Sequence, residues 1–198
     1  MQITRERRLA RAGTPRWPLI AAGLLLAGGL AACATQRSGH AELPVAGEVD
    51  LARYAGTWYE QARLPNRYQR DCAGEVRADY AVTGPGSLSV VNRCTTANGA
   101  IKMAEGEGRL ARRSPPDPAR LEVRFAPAWL SWLPAVWGDY WILRLAQDYR
   151  YSLVGTPDRR NLWVLSREQT ADAAQVQALL DYAGTLGFPV DQVLRTAN

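Results

Sequence analysis

Three cysteines and a single histidine are the side chains in this 198-residue sequence from which nucleophilic, redox or metal chemistry is usually built. The histidine, His40, lies in the stretch ATQRSGHAELPVAGEV (34–49), which is small and polar, holds Pro44 and Gly47, and reads as a flexible tether. With no second histidine, neither a Ser-His-Asp triad nor a Cys-His pair can be assembled in the rest of the chain. No cluster has metal-ligand spacing, and no paired acids present themselves for acid–base work. The expectation is therefore a protein without a catalytic residue, metal or cofactor. Cys72 and Cys94 form no Cys-x-x-Cys motif, which leaves a disulfide or two free thiols. Cys33 stands apart, at the end of an apolar run.

The formal charge is +5 and the isoelectric point near 9.4, values that invite a nucleic-acid reading. Five of the 24 basic residues, Arg5, Arg7, Arg8, Arg11 and Arg16, precede the apolar run Trp17–Ala32, against the single acid Glu6. That run is 16 residues long, shorter than the roughly 20 a spanning helix needs. A basic start, a short apolar stretch and small residues before a cleavage point describe a signal peptide over residues 1–32. Leu30-Ala31-Ala32-Cys33 resembles the bacterial lipobox, whose cysteine thiol takes a diacylglycerol and becomes the mature N-terminus, with palmitate among its acyl chains. Ala34 in place of aspartate favours, by the same resemblance, sorting to the outer membrane. Cleavage leaves 19 basic and 18 acidic residues, so nucleic acid is not an expected partner. Residues 33–49 become a lipid-anchored tether, since two acyl chains hold a protein on a membrane without a spanning helix.

From residue 50 the texture is that of short strands: 57–64, 75–82, 87–94, 100–110, 120–125, 140–146, 149–155 and 161–167. Alternation of Val76, Ala78, Tyr80 and Val82 with polar neighbours marks a half-buried strand, and Gly84-Pro85-Gly86 and Asn98-Gly99 are hairpin turns. Cys72 precedes the second strand and Cys94 ends the third, so a hairpin brings them together and permits a disulfide. Near the end the period changes: Val176, Leu179, Leu180 and Ala183 form one face of a helix, with Thr170 as N-cap, Asp172 in the first turn, and Gly184 or Gly187 with Pro189 to stop it. A last strand is expected over 190–194. Eight strands plus one C-terminal helix give an all-β class, a closed antiparallel up-and-down barrel with the helix packed outside.

Gly56-Thr57-Trp58-Tyr59, Gln147-Asp148-Tyr149 and Arg167 at the end of Leu162–Arg167 resemble the three signatures of the lipocalins. Trp58–Pro65 and Leu162–Arg167 look like the bacterial outer-membrane lipoprotein members of that family. The resemblance covers residues 50–194 and implies an eight-stranded lipocalin barrel that encloses one small ligand. It makes Gly56, Trp58, Asp148, Tyr149 and Arg167 structural residues of a closed floor, with Arg167 stacked on Trp58. The mouth then falls to loops 65–73, 95–99, 126–139 and 156–160. Loop 126–139 carries Trp129, Trp132 and Trp137, a lid, membrane contact or partner site. Tyr80, Tyr140, Trp141 and Trp163 are the expected ligand contacts inside, with Glu60 sharing the parity of Trp58 and Arg144 as a partner for its charge. The function implied is a membrane-anchored carrier, periplasm-facing at the outer membrane, monomer or weak homodimer. It would store or transport a fatty acid, lysophospholipid or similar ligand in envelope maintenance. The alternatives are an enzyme on a lipophilic substrate, or an envelope structural protein with a filled barrel.

Overall fold

The computed structural model describes residues 42–197. The signal peptide expected over 1–32, the lipidation site Cys33, His40 and the tether as far as residue 41 lie outside the described residues. A one-turn helix α1 (Leu51–Tyr54) leads into β1 (Gly56–Arg63), β2 (Cys72–Gly84), β3 (Ser87–Thr96), β4 (Ile101–Leu110), β5 (Arg120–Arg124), β6 (Gly138–Leu145), β7 (Tyr151–Gly155) and β8 (Leu162–Ser166). Helix α2 (Ala173–Thr185) and a two-residue strand β9 (Leu194–Arg195) follow. Each strand pairs antiparallel with the next, β8 returns to β1, and the first half of β1 pairs with β2, so the sheet closes. Closure removes both exposed edges of the sheet.

The two faces of the barrel wall explain the uneven patterning of the strands. β2 alternates because its outer face is wet: Val76, Ala78 and Tyr80 are buried inside, while Arg77 and Asp79 form an ion pair outside. β6, β7 and β8 lose that alternation because both faces are covered. Tyr140, Ile142, Val154 and Leu165 join the interior cluster, whereas Trp141, Leu143, Leu153, Leu162 and Val164 pack under Val176, Leu180 and Ala183 of α2. Asp172, rather than Thr170, caps α2, its carboxylate accepting from the Ala174 N–H at 2.8 Å.

Gly56 and Arg167 close the floor together. Gly56 has φ +97°, and a Cβ there would sit 3.2 Å from Arg167 Nη1, so glycine is required both for the turn and for the approach of the guanidinium. Arg167 donates to the carbonyls of Thr57 (2.9 Å), Arg53 (2.8 Å), Ala55 (2.9 Å), Tyr54 (3.1 Å) and Tyr149 (3.2 Å). Its Cζ lies 3.9 Å from the centre of the fully buried Trp58 ring. Trp58 Nε1 donates to Tyr54 O at 2.8 Å. The Asp148–Tyr149 turn joins this latch: Tyr149 has φ +61°, and its hydroxyl accepts from Asp50 N at 2.9 Å. That turn is why the seventh strand starts at Tyr151 rather than Tyr149.

Two segments differ from expectation. Residues 42–49 do not behave as tether: Leu43 is buried under the helix side, Val49 is buried in the interior cluster, and Ala46 N donates to Ile142 O at 2.8 Å. Residues 190–194 form a 3-10 turn (Val190–Gln192) before β9, not one strand. β9 has a specific task. Bulges between Cys72 and Arg77 bend β2 away from β1 near the mouth, and β9 pairs with Ala62 and Arg63 in the space left. Thr196 N donates to Gln61 O and Glu75 N to Ala197 O, so the C-terminal strand stitches β1 to β2.

The floor latch yields a direct test. Arg167→Ala removes five hydrogen bonds to part-buried and exposed carbonyls together with the ring contact, and should lower the unfolding free energy by about 3 kcal/mol. Urea unfolding of the variant and the parent checks it, and a loss under about 1 kcal/mol would show the latch to be ornamental.

Candidate functional site

Above Trp58 the barrel is not filled. A cavity of about 680 Å³ opens away from the floor, walled by Val76, Ala78, Val90, Ala104, Val123 and Leu165. Small side chains leave it width: Ala78 on β2 and Ala104 on β4 stand in its wall. A volume of this order is that of a typical small-molecule site.

At the deep end lies a chain of buried hydroxyls. Tyr80 OH donates to Tyr140 OH (3.0 Å), Tyr140 OH pairs with Tyr54 OH (2.9 Å), and Tyr54 OH pairs with Ser152 Oγ (3.2 Å). Tyr80 and Tyr140 line the cavity. Burial pushes all three phenols above their ordinary value of 10.0, and the neighbouring phenols push Tyr140 further. The three are thus neutral hydroxyls, each able to donate one hydrogen bond and to accept others.

At the upper end the groups are charged but satisfied. Glu60, 2% exposed, accepts from Arg63 Nη1 at 2.7 Å and from Gln69 and Thr196. Gln69 Oε1 accepts from Trp163 Nε1 at 2.8 Å. The expected partner Arg144 is elsewhere, outside the barrel with its guanidinium 4.8 Å from the Tyr182 ring centre. Two register shifts are the reason: one between Ile142 and Arg144 turns Arg144 outward, and one between Glu60 and Ala62 turns Ala62 toward α2 and brings Arg63 round to Glu60. Burial raises the Asp139 carboxyl at the rim above its ordinary value. Cys72 and Cys94 are joined as a disulfide with Cα atoms 5.6 Å apart, and both line the cavity. Lys102 Nζ reaches Asp71 at 2.7 Å and ties loop 65–73 to β4.

Of the aromatic residues singled out by sequence, Tyr80, Tyr140 and Trp163 line the cavity together with Glu60. Trp141 is corrected: it faces outward into the helix interface, with Arg120 4.9 Å from its ring centre. Trp137 reaches the rim, its ring 3.6 Å from the Arg109 guanidinium and its Nε1 donating to Ser131 O. Trp129 and Trp132 stand 73% and 70% exposed on the same loop and do not line the cavity. Unforeseen were Tyr54, the hub of the hydroxyl chain, and the loop residues Arg67, Tyr68 and Gln69. Among the described residues no group of three or more His, Cys, Asp or Glu converges as a metal site, and no helix is long and apolar enough to cross a membrane.

Known proteins match this arrangement. The model of the Lipocalin-like domain matches residues 49–198. Temperature-induced lipocalin-1 of Arabidopsis thaliana is 34% identical over 156 residues, 78% of this chain and 82% of the relative. Outer membrane lipoprotein Blc of Escherichia coli K12 is 33% identical over 150 residues, 76% of this chain and 80% of the relative. Among solved structures, insecticyanin from the tobacco hornworm Manduca sexta superposes with a TM-score of 0.62 at 19% identity, over 80% of this chain and 85% of that one.

The buried phenols set an alkaline limit. In the unfolded chain they ionise near 10.0, while in the fold they stay protonated. Stability is therefore fully present below that pH and falls above it, by about 1.4 kcal/mol per pH unit for each phenol that remains protonated. Urea midpoints should drop steeply between pH 10 and 11, less steeply in Tyr80→Phe, and equal slopes in the two proteins would contradict the assignment.

Proposed function

We propose that this chain, which belongs to the lipocalin family, is a carrier that takes up the acyl chain of a fatty acid, lysophospholipid or similar amphiphile into its barrel. The observation that supports this most is the cavity itself: closed at the Trp58 end, mostly apolar along its wall, and bordered by residues of loops 65–73, 126–139 and 156–160. Burying an alkyl chain there gains about 0.8 kcal/mol per methylene. The Tyr80–Tyr140 hydroxyls offer one polar contact at depth, and the Glu60–Gln69–Trp163 group supplies others near the opening. No step of bond making is part of the reading; the protein holds and releases.

A membrane location fits the same picture. The relatives named Blc are outer membrane lipoproteins, and the lipobox at Cys33 would tether this chain likewise, on the periplasmic side. Trp129 and Trp132, exposed on the mouth loop, would then meet the acyl region of a bilayer and let ligand pass between membrane and cavity. The ligand contacts proposed are Tyr80, Tyr140, Trp163 and Glu60, with Trp137 at the rim. Uptake needs a single chain, as monomer or weak homodimer.

Ala104 supplies the control, because it lines the cavity from β4 and is exposed rather than buried in a packed core. The delipidated full chain, incubated with a membrane lipid mixture and re-extracted, should return a single-chain amphiphile in about one-to-one ratio, and Ala104→Phe should return little while melting as the parent does. A folded parent that returns no lipid would overturn the proposal.

A further inference from the structure

A second recess, of about 410 Å³, opens beside the mouth of the barrel. It is lined by Arg63, Arg67 and Arg70 with Asn66, Gln69, Pro65 and Leu194, and no carboxylate is in its wall. Three guanidiniums on one small hollow repel one another unless something negative sits between them. The nearby acids are already engaged. Glu60 is bonded by Arg63, and Asp71 is held by Lys102, whose ammonium keeps its carboxyl below the usual range. Arg67 meets only the ring and hydroxyl of its neighbour Tyr68, and Arg70 makes no hydrogen bond or ion pair among the described residues. Arg67 and Arg70 thus keep donors available, while Arg63, paired with Glu60, lies behind them.

Two residues, Arg67 and Gln69, belong to the wall of this recess and to the wall of the barrel cavity. The apolar space and the cationic hollow are therefore neighbours across one shared partition. We propose that the Arg63–Arg67–Arg70 recess is an anion subsite, which holds the phosphate head group of a single-chain amphiphile while its tail lies in the barrel. Planar guanidiniums suit this, since each can offer two parallel N–H donors to phosphate oxygens. The assignment rests on the barrel being a lipid cup, and it narrows the ligand: the carrier selects anionic over zwitterionic head groups of equal chain length.

The test is a displacement titration on the full chain, with a fluorescent fatty acid as reporter and two competitors, oleoyl lysophosphatidic acid and oleoyl lysophosphatidylcholine. The parent should bind the anionic lysolipid about tenfold more tightly. Arg70→Gln should reduce that ratio, and Arg67→Gln/Arg70→Gln should bring it close to one, with thermal melting confirming the fold. Raising salt on the parent should shrink the ratio without any substitution. Glycerol phosphate, which has the head but no chain, should compete only weakly; equal competition would make the recess a site for free phosphate and overturn the lipid assignment. A parent that binds both lysolipids equally, or variants that keep the ratio, overturn the subsite and leave the carrier reading intact. A parent that binds neither overturns both.

Discussion

The cup depends on one guanidinium. An eight-stranded barrel is open at both ends unless something seals one of them, and here Arg167 lies flat over Trp58 while donating to five backbone carbonyls. Those carbonyls belong to the α1–β1 segment and to the Asp148–Tyr149 turn, so a single side chain fastens the strap, the floor and the far hairpin together. Tyr54 follows from the same arrangement. The α1 turn that offers its carbonyls to Arg167 also plants the Tyr54 ring 5.0 Å from Trp58, and from there its hydroxyl reaches Tyr140 and Ser152. The polar floor of the cavity is thus built on the back of the latch.

What the closed end fixes, the opposite end leaves open by using small residues. Ala78 on β2 and Ala104 on β4 stand where bulky residues would fill a solid core, and the packing cost is a void of about 680 Å³. The barrel tolerates that void because a second buried core lies between the outer faces of β6–β8 and α2. At the mouth, the disulfide, the Lys102–Asp71 bridge and the β9 stitch hold loop 65–73 in place around the opening. A rigid rim around an empty interior is the arrangement expected of a binding cup whose ligand enters without refolding it.

Much of this was readable from residue order, and the failures have physical causes. Gly56, Trp58 and Arg167 are legible through the signatures they share with the lipocalins, and the structure shows what each does: a positive φ, a buried ring and a guanidinium over it. β2 showed its inner face because its outer face is wet. β6 did not: Tyr140, Trp141, Ile142 and Leu143 are all buried, so the phase of the alternation is erased and Trp141 was placed on the wrong side. The Glu60–Arg63 pair depends on a bulge, which shifts parity without leaving a mark in the local sequence. Residues 42–49 are small and polar apart from Leu43, Val45 and Val49, too few to show a period, yet those three pack, together with Ala46. Loop 65–73 could be placed at the mouth, but nothing in residue order sets Arg63, Arg67 and Arg70 on one recess, which the fold does.

The central claim is that an acyl chain lies inside the barrel with its end near the phenols. The most direct measurement is a crystal structure with a fatty acid brominated at its tail carbon, using the anomalous signal to locate the bromine. A peak within the barrel near Tyr80, Val90 and Tyr140 is the predicted result. A peak confined to the outer α2 face, or no peak within a barrel whose interior has collapsed, would contradict it.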